Sequence, residues 1–113
     1  MINAPFVLNR AVILERLGGD EEIYTVMVDM YLQDLSNYAQ ALQNALKQGD
    51  APLFQREAHT IKGLLATFAD EAGAEAAFTL EKKAKAGDLN GLDAAVDVLV
   101  ERLNEVGRVL SVR

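Results

Sequence analysis

The chain has 113 residues, half of them apolar, with seventeen acids against eleven bases (net charge −6), no cysteine and a single histidine. That length suits one domain with one modest core, and the counts exclude a disulfide framework, a thiolate nucleophile, a zinc site of the cysteine type and any pair of titrating imidazoles. The acidity gives no support to nucleic-acid binding, and no apolar run approaches the roughly 18 residues that span a bilayer. Met1-Ile2-Asn3-Ala4-Pro5 lacks the basic and apolar stretches of a signal peptide, so a cytoplasmic domain with no membrane contact is expected.

The punctuation is helical throughout. A short apolar segment closes at Gly18-Gly19, and Asp20-Glu21-Glu22 reads as an N-cap with an acidic first turn. From Ile23 the apolar positions Ile23, Val26, Met27, Met30, Leu35, Tyr38, Ala39, Leu42, Ala45 and Leu46 recur at helical spacing. Lys47 falls in the last turn, Gly49 just past it, and the helix is about 40 Å long. Asp50-Ala51-Pro52 starts the next helix, which runs to about Phe68. Asp70-Glu71 opens another that ends at Gly87. Asp88 or Asn90 is expected to cap the last, whose stripe is Leu92, Val96, Leu99, Leu103, Val106 and Leu110. No segment alternates with period two, so no strands are predicted. Short connections imply antiparallel neighbours: an all-α, up-and-down four-helix bundle with a short additional N-terminal helix.

The one histidine lies on the third of these helices counted from the short one. On a wheel of about 100° per residue with His59 at zero, Leu53, Phe54, Ala58, Ile61, Leu64, Leu65 and Phe68 fall between about 120° and 260°. His59 therefore faces solvent, with Gln55, Arg56, Lys62, Gly63, Ala66 and Thr67 around it. Glu57 is the misfit, near the apolar arc, with its carboxylate expected to reach water at the edge. A lone histidine is more often a satisfied core residue or an idle surface one. The wheel argues against the first, and the neighbours argue against the second. Gly63, one turn above His59, costs about 1 kcal/mol relative to alanine inside a helix, and no cap or turn explains it. A missing side chain there clears space for a phosphoryl group or another backbone, and Lys62 brings a positive charge to the same space. Neutral imidazole is a competent nucleophile near pH 7 and forms a phosphoramidate, with the lysine offsetting charge on the phosphoryl oxygens. No second histidine, serine or cysteine stands nearby to complete a hydrolytic triad.

Ala58-His59-Thr60-Ile61-Lys62-Gly63, preceded by Arg56, resembles the Ala-His-x-Leu-Lys-Gly signature of histidine-containing phosphotransfer (HPt) domains. The likeness extends to Leu17-Gly18-Gly19-Asp20-Glu21-Glu22, to Gly49-Asp50, and to Leu80-Glu81 with Ala86-Gly87-Asp88. It covers about residues 7–110 of a single domain spanning 1–113. The resemblance implies a phosphorelay intermediate, not an autonomous kinase. His59 accepts a phosphoryl group from the aspartyl phosphate of a receiver domain and passes it to another receiver's aspartate. Partners are response-regulator receiver domains or a hybrid sensor histidine kinase, the chain itself being monomeric. No cofactor is expected on this chain, magnesium being held by the receiver. Lys62 becomes the supporting cation, Gly63 the clearance, and Arg56, Gln55, Ala66, Glu81 and Lys85 possible supporting residues, Glu81 as a polar neighbour that orients the ring. Two features depart from the family pattern: Ala69-Asp70 stands where Gly-Ala is usual, and Glu81 is an anion beside an incoming phosphoryl.

A carrier also needs a docking surface. The apolar run Ala11-Val12-Ile13-Leu14, with Leu17 following, cannot all face one core, so Val12, Ile13 and Leu17 are candidates for a partner-binding patch. The opposing expectation is that this helix caps the bundle end and buries them. Met27, Met30, Tyr31 and Tyr38 read as core packing. Lys82, Lys83 and Lys85 read as a solvated basic face able to draw an acidic partner. Between Arg56 and Lys85 five bases meet five acids, so the whole negative excess lies outside this stretch. Three rival functions compete. A complete histidine kinase needs a Gly-rich ATP domain that 113 residues cannot add, and an acidic residue where Thr60 follows His59. A carboxylate-bridged metal bundle needs the Glu-x-x-His spacing, but Arg56 stands three residues before His59. A helical module that only binds partners is the remaining alternative.

Overall fold

The computed structural model describes residues 2 and 4–112, and five helices form in chain order. They are α1 (Arg10–Arg16), α2 (Glu21–Gln48), α3 (Ala51–Thr67), α4 (Glu71–Lys85) and α5 (Asp93–Ser111). Among the described residues there is no strand. Helices α2 to α5 pack as a closed bundle in which each touches its two neighbours, and α1 leans on α2. Twenty-eight residues of α2 at 1.5 Å each account for the 41 Å long dimension of the molecule.

Side chains at the helix starts explain where α1 to α4 begin. Asn9, Asp20, Asp50 and Asp70 each accept the backbone N–H three residues on, at 3.1–3.2 Å. At α5 the expectation fails. Neither Asp88 nor Asn90 caps it; Leu92 stands at the N-cap without a side-chain bond, and Asp88 Oδ1 instead accepts Asn90 N–H within the preceding turn. Asp88 is a turn residue here because an Asx turn satisfies its carboxylate before the helix begins.

Helices α1 to α4 end the same way, α1 at Gly18-Gly19 with bonds back to Glu15 and Leu14. The pairs Gly49-Asp50, Ala69-Asp70 and Gly87-Asp88 each close the paired bonds of a Schellman motif, back to Ala45 and Leu46, to Leu65 and Ala66, and to Lys83 and Ala84. Ala69 therefore sits at φ 59°, a left-handed conformation that Gly49 and Gly87 adopt at 65° and 77°. The departure from Gly-Ala thus places an alanine in a backbone position suited to glycine.

The core is formed by Tyr31 and Leu42 of α2, Phe54, Ile61 and Leu65 of α3, Phe68 beyond it, Leu80 of α4, and Leu99, Leu103 and Val106 of α5. Tyr31 stacks edge-on against Phe68 with centroids 5.3 Å apart, and its hydroxyl donates to the Leu103 carbonyl at 2.8 Å. Burial pushes the Tyr31 phenol well above its ordinary range. The predicted α5 stripe is buried at all six positions.

The phase of α2 is where the pattern misleads. Ile23, Val26 and Met30 point outward, 45–55% exposed, while Val28 and Tyr31 turn inward. Apolar residues occupy both faces of the first half of α2, so periodicity alone leaves the buried face undetermined. Met27 and Tyr38 are half-buried.

On α1, Ile13 is fully buried, which removes it from any partner surface: its side chain anchors α1 to the bundle. Val12 and Leu17 are half-buried, and Leu17 packs on the core. Arg16, on the same helix, donates to the Ala66 carbonyl at 2.6 Å and ties α1 to the C-terminal end of α3.

One buried network has no counterpart in the sequence reading. Arg102 of α5 grips Asp70 at both carboxylate oxygens, 2.8 and 2.7 Å, with side chains only 4% and 2% exposed. Its third nitrogen donates to the Ala4 carbonyl, and neighbouring Glu105 accepts Phe6 N–H at 2.8 Å. The N-terminal segment is thereby bound to α5 and to the start of α4. The bidentate hydrogen bonds to Asp70 push the Arg102 guanidinium still higher than usual, so the arginine stays charged in its buried position.

Candidate functional site

The α3 wheel orients as expected: Phe54, Ala58, Ile61 and Leu65 are buried, and His59 presents a side chain 65% exposed. Glu57 lies at the edge with a side chain 20% exposed. Across the α3–α4 interface, Glu81 accepts a hydrogen bond from His59 Nδ1 at 2.9 Å. Its other oxygen pairs with Lys62 Nζ at 2.8 Å. One carboxylate, 14% exposed, therefore joins the ring and the cation.

Two consequences follow for the chemistry. First, a carboxylate can only accept, so the neutral ring carries its proton on Nδ1, and the Nε2 lone pair is left as the nucleophile. Second, the Lys62 ammonium above all, with the His59 ring, holds the Glu81 carboxyl below the usual carboxylate range, against the opposing pull of burial. Because the folded chain binds this proton less readily than the unfolded one, the cluster contributes stability above the unfolded value and loses it as pH falls through the lower folded value. Titration of the Glu81 carboxyl carbon by NMR should show a midpoint below that of an ordinary glutamate, moving upward in Lys62→Ala. An unshifted midpoint in the wild type would contradict the shared-carboxylate geometry.

Gly63 is set apart from the other two glycines inside helices. A side chain at Gly73 would run into the Asp70 carboxylate and come within 2.9 Å of Leu65, and one at Gly107 would come within 2.7 Å of Leu35. Packing requires glycine at Gly73, where the obstacle is the buried, paired Asp70 carboxylate; at Gly107 the tip of the Leu35 side chain would have to shift. At Gly63 an added Cβ meets nothing within 4 Å, so no contact inside the protein requires its absence. The open space above Gly63 continues into a shallow groove of about 500 Å³ between α3 and α4, lined by Lys62, Ala66, Ala74 and Phe78, with Glu71 and Glu75 also on its α4 side.

The remaining sequence candidates surround this trio without joining it. Arg56 is exposed one turn before His59, Gln55 is half-buried, and Ala66 and Lys85 are exposed. Among the described residues none of their side chains forms a hydrogen bond or ion pair with His59, Lys62 or Glu81. Phe78 is not marked by any motif in the sequence, yet its ring lies under two ammonium groups, Lys62 at 4.8 Å and Lys82 at 4.5 Å. A phenylalanine three residues before Glu81 in a helix otherwise rich in alanine was the available signal. No cluster of three or more carboxylate and imidazole groups among the described residues is arranged to hold a metal ion.

Comparisons with known proteins bear on the family and the fold. The family model described as Hpt domain matches residues 26–109. The crystal structure of histidine-containing phosphotransfer protein B (HptB) from Pseudomonas aeruginosa PAO1 superposes with a TM-score of 0.81 at 24% identity, over 92% of this chain and 90% of that one. The crystal structure of the HPT domain from the Hpt sensor hybrid histidine kinase from Shewanella gives 0.79 at 19% identity, again over 92% and 90%. No curated protein matches the sequence. No helix among the described residues is long and apolar enough to cross a membrane. With three quarters of its length matched by the family model and the bundle shared with both structures, the chain belongs to the Hpt domain family of histidine phosphotransfer domains in two-component signalling.

Proposed function

We propose that His59 carries a phosphoryl group between two receiver domains, taking it from the aspartyl phosphate of one and handing it to the aspartate of the other. The observation that carries this reading is a single constellation. An exposed histidine has Nδ1 committed to Glu81, and it stands beside Lys62 and a helix-interior glycine that no internal contact requires. In the forward step the Nε2 lone pair attacks phosphorus and the N–P bond forms. The P–O bond to the partner's aspartate breaks, and that carboxylate leaves with the electron pair. The ring's developing positive charge is offset by Glu81, which keeps the proton on Nδ1, so the reverse step needs no proton from bulk water. Lys62 offsets charge on the phosphoryl oxygens. Any magnesium belongs to the receiver in this reading, and the chain acts as a carrier with no nucleotide of its own.

Transfer of label from a phosphorylated receiver tests it. Wild type should take up acid-labile, alkali-stable label, and His59→Gln should take up none. A wild-type chain that accepts no label from any receiver of its own organism would overturn the proposal in favour of a helical module that only binds partners.

The receiver's docking surface, in this reading, includes the outward row Ile23, Val26 and Met30 of α2 rather than Ile13. These residues share one face at spacings of three and four, and each leaves roughly half of its surface in water. A double substitution, Ile23→Asp with Met30→Asp, should raise the half-saturating receiver concentration about tenfold, equivalent to ~1.4 kcal/mol. The maximal transfer rate should stay the same. An unchanged concentration dependence would remove α2 from the interface.

A further inference from the structure

We propose that Phe78 is a positioning residue that holds the Lys62 ammonium beside His59 without neutralising it; this rests on the reading of His59 as phosphoacceptor. The chain has four phenylalanines, and Phe6, Phe54 and Phe68 are buried, whereas Phe78 stays 38% exposed on the middle of α4. Core packing therefore does not account for it. What its ring does instead is gather two cations: Lys62 from α3 at 4.8 Å and Lys82 from one turn along α4 at 4.5 Å, both inside the roughly 6 Å at which a ring face attracts an ammonium.

Lys62 is consequently held at two points one turn apart on α4, the Glu81 carboxylate and the Phe78 face. A lysine side chain is a flexible stem that ordinarily roams in water, yet this one is only 29% exposed before any partner arrives. The two anchors differ in what they leave behind. Pairing with Glu81 cancels the charge that a phosphoryl group needs, whereas an aromatic face fixes the ammonium and leaves its full positive charge in place. When a phosphoryl anion competes with Glu81 for Lys62, the ring keeps the ammonium at the mouth of the same groove that opens above Gly63. Lys82, drawn to the same ring, adds a second positive charge beside it.

The test replaces Phe78 with leucine, which keeps apolar volume and removes the ring face, and follows single-turnover transfer across a range of phosphorylated-receiver concentrations. The maximal rate should fall about two- to fivefold, the range for a cation on an exposed ring, with little change in the half-saturating concentration. Phe78→Trp should restore it. In a Lys62→Ala background, Phe78→Leu should have no further effect, because a residue acting through Lys62 loses its influence when Lys62 is gone. By NMR the ε-methylene protons of Lys62 and Lys82 should lose their ring-current shift in Phe78→Leu while the fold is retained. An unchanged maximal rate, or an equal loss in the Lys62→Ala background, would overturn the role of Phe78 and leave His59 as the phosphoacceptor. A wild-type chain that takes no label would overturn both.

Discussion

Arg102→Met is expected to lower folding stability by about 3–5 kcal/mol, because it leaves the Asp70 carboxylate buried without its partner. A urea melt should show this as a large fall in midpoint. The N-terminal segment should be released as well, since the same guanidinium holds the Ala4 carbonyl. Pairing it with Asp70→Asn, which keeps the acceptor that caps α4 at Gly73 but removes the charge, should recover much of the loss. If Arg102→Met alone cost less than ~1 kcal/mol, water would be reaching Asp70 and the network would not be the latch described. The effect should fall on stability, not on transfer chemistry, because neither residue reaches His59.

Gly63→Gln should do the opposite. The backbone there is helical and the space around an added Cβ is empty, so the substitution should leave helicity intact and add roughly 0.5–1 kcal/mol of stability. Phosphotransfer should nevertheless drop about 100-fold, as expected when reacting atoms are kept about 1 Å from attack distance. Gain of stability with loss of transfer separates a glycine retained for a partner from one retained for packing, such as Gly73. Transfer within twofold of wild type would contradict the clearance argument.

Much of the bundle was legible because helix signals are local. Asp20, Asp50 and Asp70 read as caps from their spacing alone, and Gly49 as a C-terminal stop. The wheel of α3 placed His59 on the surface because its apolar arc is clean on one side only. Where apolar residues occur all round, as in the first half of α2, that reasoning misassigned Met30 to the core and did not show that Ile23 and Val26 face outward. Ile13 was misplaced for a related reason: a seven-residue helix shows too little pattern to reveal which of four consecutive apolar residues faces inward.

What local reasoning does not supply is pairing across the fold. Asp70 satisfied an obvious local role as a cap, which concealed its second role as the partner of Arg102, 32 residues away. Arg102 did carry a signal, since it lies three residues after Leu99 and four before Val106, on the buried stripe of α5. Phe78, gathering Lys62 from one helix and Lys82 from its own, likewise becomes visible only once α3 and α4 are side by side. Glu81 entered the sequence reading only through the family resemblance. The contact itself spans 22 residues and two helices.

The central claim is that His59 Nε2 forms the bond to phosphorus while Nδ1 stays with Glu81. Phosphorus NMR of the ring-¹⁵N-labelled protein, phosphorylated by a receiver, tests this most directly. The account predicts a single phosphohistidine signal with one-bond coupling to Nε2, absent in His59→Gln. Coupling to Nδ1, or a phosphoryl group on any other residue, would contradict it.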